Sequence, residues 1–191
     1  MNVRKIVAAA VSGAQAMPDL DPTNKGPLHR ERSKNFVECL SERLLEQYGG
    51  DGNLASLSKH HDFDRDRFGM NELLFDVAVV EYKTVNSGPS GKDLSVVTRG
   101  IWAVESELAK DKREALYDFN KLVLGASDRK LFVGPRVKDE QDYLRVLGEA
   151  ARHCSGEIFV ALIPHPEEWP DRGSESVVAW KWKSGEWCPV V

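Results

Sequence analysis

The stretch 73–108 constrains this chain more than any other. It reads LLFDVAVVEY, then a loop, then SVVTRGIWAVESEL. Two runs rich in β-branched and aromatic residues flank Pro89-Ser90-Gly91, a pattern that predicts an antiparallel hairpin. Paired about that turn, Asp76 falls opposite Val104 and Glu105. Glu107 then shares the face of Glu105, because side chains alternate along a strand. Three carboxylates on an otherwise apolar sheet repel one another and lose hydration, and a divalent cation is the usual compensation. The spacing therefore predicts a metal site. The plainer alternative has Asp76 capping a turn or pairing with Arg99. Glu105 and Glu107 would then end an edge strand and open a helix, with Ser106 as an ordinary cap.

The rest of the chain sets the frame. Its 191 residues suit one domain, with 1–32 as an N-terminal helix and loop extension and 33–191 as the single main domain. The net charge of −4 gives no global attraction to polyanions or membranes, so a nucleic-acid partner has to be met by a local patch. Cys39, Cys154 and Cys188 are odd in number and form no Cys-x-x-Cys pair, which fits a reduced, cytoplasmic setting without a zinc knuckle. Residues 1–17 loosely mimic a secretory signal, but the apolar run IVAAAV is short, and a short Ala-rich helix is the simpler reading. No membrane segment is expected.

In order, 18–32 reads as loop, rich in Pro, Asp and Asn. Ser33 is expected to cap a helix over 33–48, with Phe36, Val37, Leu40, Leu44 and Tyr48 as its apolar stripe and Glu38 at the border. The polar segment 51–70 also reads as loop. Its aspartates fail the calcium-loop template, which wants Gly and Glu where Arg67 and Leu73 stand, and its His60-His61 pair lacks partners at metal spacing. Helices over 109–124 and 138–153 and strands over 130–133 and 157–163 follow. A terminal hairpin turns at Ser184-Gly185. The fold class is α/β: an α+β mixed sheet flanked by helices.

Magnesium commonly takes one or two carboxylates, water and substrate phosphate. Asp76 and Glu105 supply the pair and the Ser106 carbonyl a further ligand, with Glu107 holding a second ion or accepting a proton from attacking water. Hydrolysis of a phosphate ester follows from these parts. A helix bearing Glu38, a strand bearing Asp76, a strand ending Glu105-x-Glu107, then a helix and a strand together resemble the PD-(D/E)XK nuclease superfamily. The resemblance covers residues 33–163 and implies a restriction-endonuclease-like core, here followed by a C-terminal β-hairpin. It implies a Mg²⁺- or Mn²⁺-dependent nuclease acting on DNA, with RNA as second choice. Its site would comprise Asp76, Glu105, Glu107 and Glu38, and by analogy at the level of fold a homodimer or a partner subunit is expected to help hold a duplex. The alternative is a non-catalytic interaction or nucleic-acid-binding module on the same fold.

Two departures stand out. No Pro precedes Asp76, and Glu107 occupies the slot of the usual lysine. Some members of the superfamily use Glu-x-Glu; here Lys110, Lys112 or Lys121 would supply a displaced lysine, a solvated helix face being the alternative. For nucleic acid, a basic rim is expected from Arg30, Arg32, Lys34, Lys110, Lys112, Arg113, Arg129, Lys130 and Arg136. Trp180, Trp182 and Trp187 offer either a stacking platform or core packing.

Overall fold

The computed structural model describes residues 1–17, 25–49, 52–59, 68–69, 72–89, 91–169 and 173–191. Among them are four α-helices: α1 (Val3–Ala16), α2 (Lys25–Glu46), α3 (Lys112–Leu124) and α4 (Glu140–Ala151). Seven strands form one sheet in chain order: β1 (Leu54–Ser58), β2 (Val77–Asn86), β3 (Asp93–Ser106), β4 (Ser127–Pro135), β5 (Glu157–Ile163), β6 (Val178–Lys183) and β7 (Glu186–Pro189). Strands β1, β2 and β3 form an antiparallel meander. The crossovers through α3 and α4 make β4 and β5 parallel to β3, and β6 and β7 close the sheet antiparallel.

The hairpin forms in the expected register, with Val77 facing Val104 and Glu81 facing Arg99. Its turn is held by the Ser87 N–H on the Lys92 carbonyl at 2.9 Å, and Ser90 lies outside the described residues. Alternation then sorts the core. Val77, Val79, Trp102 and Val104 face α1 and α2, while Ala103 and Phe132 face α3 and α4. Helix α1 presents Val3, Ile6, Val7, Ala10, Val11 and Ala14 to the sheet at i, i+3, i+4 spacing. Asn2 caps it by accepting the Lys5 N–H at 3.1 Å.

Several expectations need correcting. Helix α2 begins at Lys25 rather than Ser33, so part of the stretch read as loop is helical and the boundary drawn at 32/33 falls inside a helix. Leu28, 7% exposed, anchors that added length, a signal that the neighbouring Pro and Gly obscured. Strand β1 lies within the polar stretch read as loop. LASLS is short, but Ala55, Ser56, Leu57 and Ser58 are all buried against β2. The His60, His61, Asp62, Asp64, Asp66 and Arg67 segment lies outside the described residues. The tryptophans are packing groups. Trp182 and Trp187 meet edge to face at 4.8 Å over α4, and the Trp187 indole donates to the Leu144 carbonyl at 2.8 Å. The expected turn does form there, with Ser184 and Gly185 both at positive φ, 51° and 90°, a backbone that glycine adopts without strain. No helix among the described residues is long and apolar enough to cross a membrane.

Candidate functional site

Asp76 stands one residue before β2, where the β2–β3 ladder stops. The Ser106 N–H and hydroxyl donate to its Oδ2 at 2.9 and 2.7 Å. Its carboxylate thus substitutes for the main-chain acceptor that would have continued the ladder. The chain enters this position through a tight three-residue turn, the Phe75 N–H on the Leu73 carbonyl at 2.8 Å with Leu74 at φ 67°. Arg99, the alternative partner, instead pairs with Glu81 and Asp128.

Glu105 lies beneath α3 and is 1% exposed. The Lys121 ammonium donates to its Oε2 at 3.0 Å, while Oε1 is buried without a hydrogen-bond partner among the described residues. Burial, then the nearby Asp76 charge, push the Glu105 carboxyl from 4.5 up to about 8, and the half-exposed Lys121 only partly offsets them. Burial draws the Lys121 ammonium down, but its bonds to Asp118, at 2.8 Å, and Glu105 outweigh that and hold it above the ordinary lysine range. Lys121 therefore reaches the acidic cluster from a half-exposed position on α3. Lys110 and Lys112, the other two displaced-lysine options, pair with Glu168 and Asp142.

Glu107 lies just past β3, its Oε1 accepting the Ala109 N–H at 2.6 Å. Burial first, and then the Asp118 charge, raise its carboxyl. Glu38 is not brought to this group: it sits on α2, across the sheet from Glu105, and faces Lys34 at 3.8 Å. Among the described residues no three His, Cys, Asp or Glu side chains gather closely enough to hold a metal ion, so the triple convergence expected from the sequence is absent there. A two-carboxylate cation site is still chemically compatible, since Glu105 has a buried oxygen in need of a partner and Asp76 bonds Ser106 through Oδ2 alone.

Beside this group lies an open cleft of about 830 Å³ between α2 and the ends of the strands. It is lined by Asp76, Ser106 and Glu107 at the strand ends, by Lys59 just after β1, by His29, Arg30 and Lys34 of α2, and by His165. A second polar cleft, of about 430 Å³, lies toward the start of β3 and is lined by Tyr48, Glu81, Arg99, Asp128 and Arg129. The expected basic rim is largely committed elsewhere. Lys130 is buried beneath α4 on Ser155, Arg129 binds Glu157 and Tyr48, and Arg136 binds Glu140 and the Ser176 carbonyl.

Asp118, Lys59 and His165 escaped the sequence reading. The i, i+3 spacing of Asp118 and Lys121 was the available signal for the first. Lys59 was hidden because the strand before it was read as loop. His165 could only be found by the turn that follows β5. No protein-family model matches the chain, and comparison with curated proteins and with solved structures found no match.

Proposed function

We propose that this chain is a metal-dependent, nuclease-like protein that hydrolyses phosphodiester bonds in DNA or, as second choice, RNA, on a restriction-endonuclease-like core. The observation that carries the reading is Glu105, a carboxyl excluded from water with an ammonium on one oxygen and, among the described residues, no partner on the other. A buried, half-satisfied acid is costly where an apolar residue would pack as well, so it argues for a role beyond stability. The element order supports the same reading: helix α2, the meander β1–β2–β3, crossover α3 and parallel β4.

A Mg²⁺ or Mn²⁺ ion held by Asp76 and Glu105, with the Ser106 carbonyl, would acidify a water and neutralise charge building on the phosphodiester. The chain's own residues have separate tasks. Ser106 fixes the Asp76 carboxylate by two hydrogen bonds. Lys121, the displaced lysine, holds Glu105 Oε2, and the buried Oε1 would be the oxygen offered to the ion. Glu107, at the cleft wall with a raised pKa, is placed to accept a proton from an attacking water.

The test is thermal denaturation with Mg²⁺ or Mn²⁺, beside a cleavage assay on labelled DNA and RNA. The reading expects a metal-dependent rise in Tm and cleavage, both abolished by Asp76→Ala. Absence of both in the wild-type chain would favour a non-catalytic, nucleic-acid-binding or interaction module. The engagement of Asp76 by Ser106 and the remoteness of Glu38 are the observations on that side.

A further inference from the structure

We infer that the main cleft seats a phosphodiester backbone, with Arg30 of α2 and Lys59 after β1 as the anion-binding side chains. This deepens the nuclease reading and rests on it for the identity of the scissile group, but the anion seat itself is argued from the cleft.

Several cations outside this cleft are matched by acids. Arg99 binds Glu81 and Asp128, Arg129 binds Glu157, Arg136 binds Glu140, Lys112 binds Asp142 and Lys181 binds Glu157. Arg30 and Lys59 line the cleft with no side-chain hydrogen bond and no acidic partner among the described residues, and both are exposed. Asp76 and Glu107 form no ion pair with them, Asp76 accepting from Ser106 and Glu107 from the Ala109 N–H. Two unmatched cations facing open space are what a polyanion would meet.

The lining is also built to hold its place. The Lys59 N–H donates to the Asp76 carbonyl at 3.4 Å, so this lysine is tied to the strand end that carries the acid. On α2, the Arg32 guanidinium donates to the Pro166 carbonyl at 2.6 Å, joining the helix to the turn after β5. His29 and His165 meet edge to face at 5.2 Å, and Glu167 lies 3.0 and 3.7 Å from their ring nitrogens. A volume of about 830 Å³ has room for a nucleotide unit, within the roughly 300–1,000 Å³ usual for ligand sites.

The experiment measures fluorescence anisotropy of labelled single-stranded and duplex oligonucleotides in EDTA, across a salt series, with a mononucleotide and inorganic phosphate as competitors. The wild-type chain is expected to bind, and Arg30→Ala/Lys59→Ala to bind at least about tenfold more weakly with a salt slope lower by about 2. Arg99→Ala, in the second cleft, should bind as wild type. Competition by the mononucleotide at similar concentration would assign a single-phosphate seat; its failure to compete would assign an extended backbone. Binding unaffected by the double substitution, or no oligonucleotide binding by the wild-type chain, overturns the inference. Asp76→Ala separates the two readings. Retained binding together with lost cleavage supports both, while binding in a wild-type chain that neither cleaves nor responds to metal keeps the anion seat and removes the hydrolase.

Discussion

The two clefts along β3 are built from similar residues and differ in how their charges are spent. Toward the start of the strand, Arg99 is shared by Glu81 and Asp128, while Arg129 binds Glu157 and Tyr48 and covers the Trp102 ring. Toward its end, among the described residues, Glu105 keeps an unpartnered oxygen and Arg30 and Lys59 form no ion pair. Charges that satisfy one another hold a structure together. Charges left over where opposite partners lie nearby point to a ligand.

The largest expected effect tests whether the end-of-strand cleft is chemical at all. Asp76→Ala should reduce metal-dependent cleavage by at least about a hundredfold, since loss of a ligand removes several kcal/mol of charge stabilisation. Equal loss from Glu81→Ala, in the other cleft, would break the contrast.

Next comes pH. The folded-state pKa of Glu105 lies near 8 against 4.5 for an exposed glutamate, so between those values the native state binds more protons than the unfolded one. Its contribution is therefore fully present below about pH 4.5 and is lost as pH rises through about 8. Without metal, Glu105→Gln should flatten that decline and raise stability at pH 9 by about 1–4 kcal/mol relative to wild type, read from urea midpoints. A wild-type chain equally stable at pH 6 and pH 9 would mean that Glu105 is not held out of water.

Lys121→Met gives a smaller effect of opposite sign. Removing the ammonium raises the Glu105 carboxyl further and should cost about 1 kcal/mol, more at pH 9 than at pH 6. A pH-independent loss would reduce Lys121 to a packing residue.

Smallest is Arg99→Ala, at an exposed surface site. It should move Tm by no more than about 2 °C, and the change should fade in 1 M salt. A large, salt-resistant loss would mean that the paired cleft is the more important of the two.

Local pattern determined a good deal of this molecule. The β-branched runs around 73–108 specified the hairpin and its register, EIFVALI specified β5 to the residue, and Ser184-Gly185 specified the terminal turn. In each case the signal lies within a few positions, in propensity, alternation or a positive φ. Strand β1 and the first two turns of α2 stayed hidden because their burial comes from distant neighbours rather than from their own composition. The candidate site divides the same way. Asp76, Glu105 and Glu107 could be picked out as acids in an apolar setting, but their company was decided only in three dimensions. Ser106 takes Asp76, α3 swings Lys121 onto Glu105, and α2 keeps Glu38 on the other side of the sheet. A carboxylate's pKa and partners depend on which groups the folded chain carries to within a few ångströms of it, and sequence separation does not encode that distance.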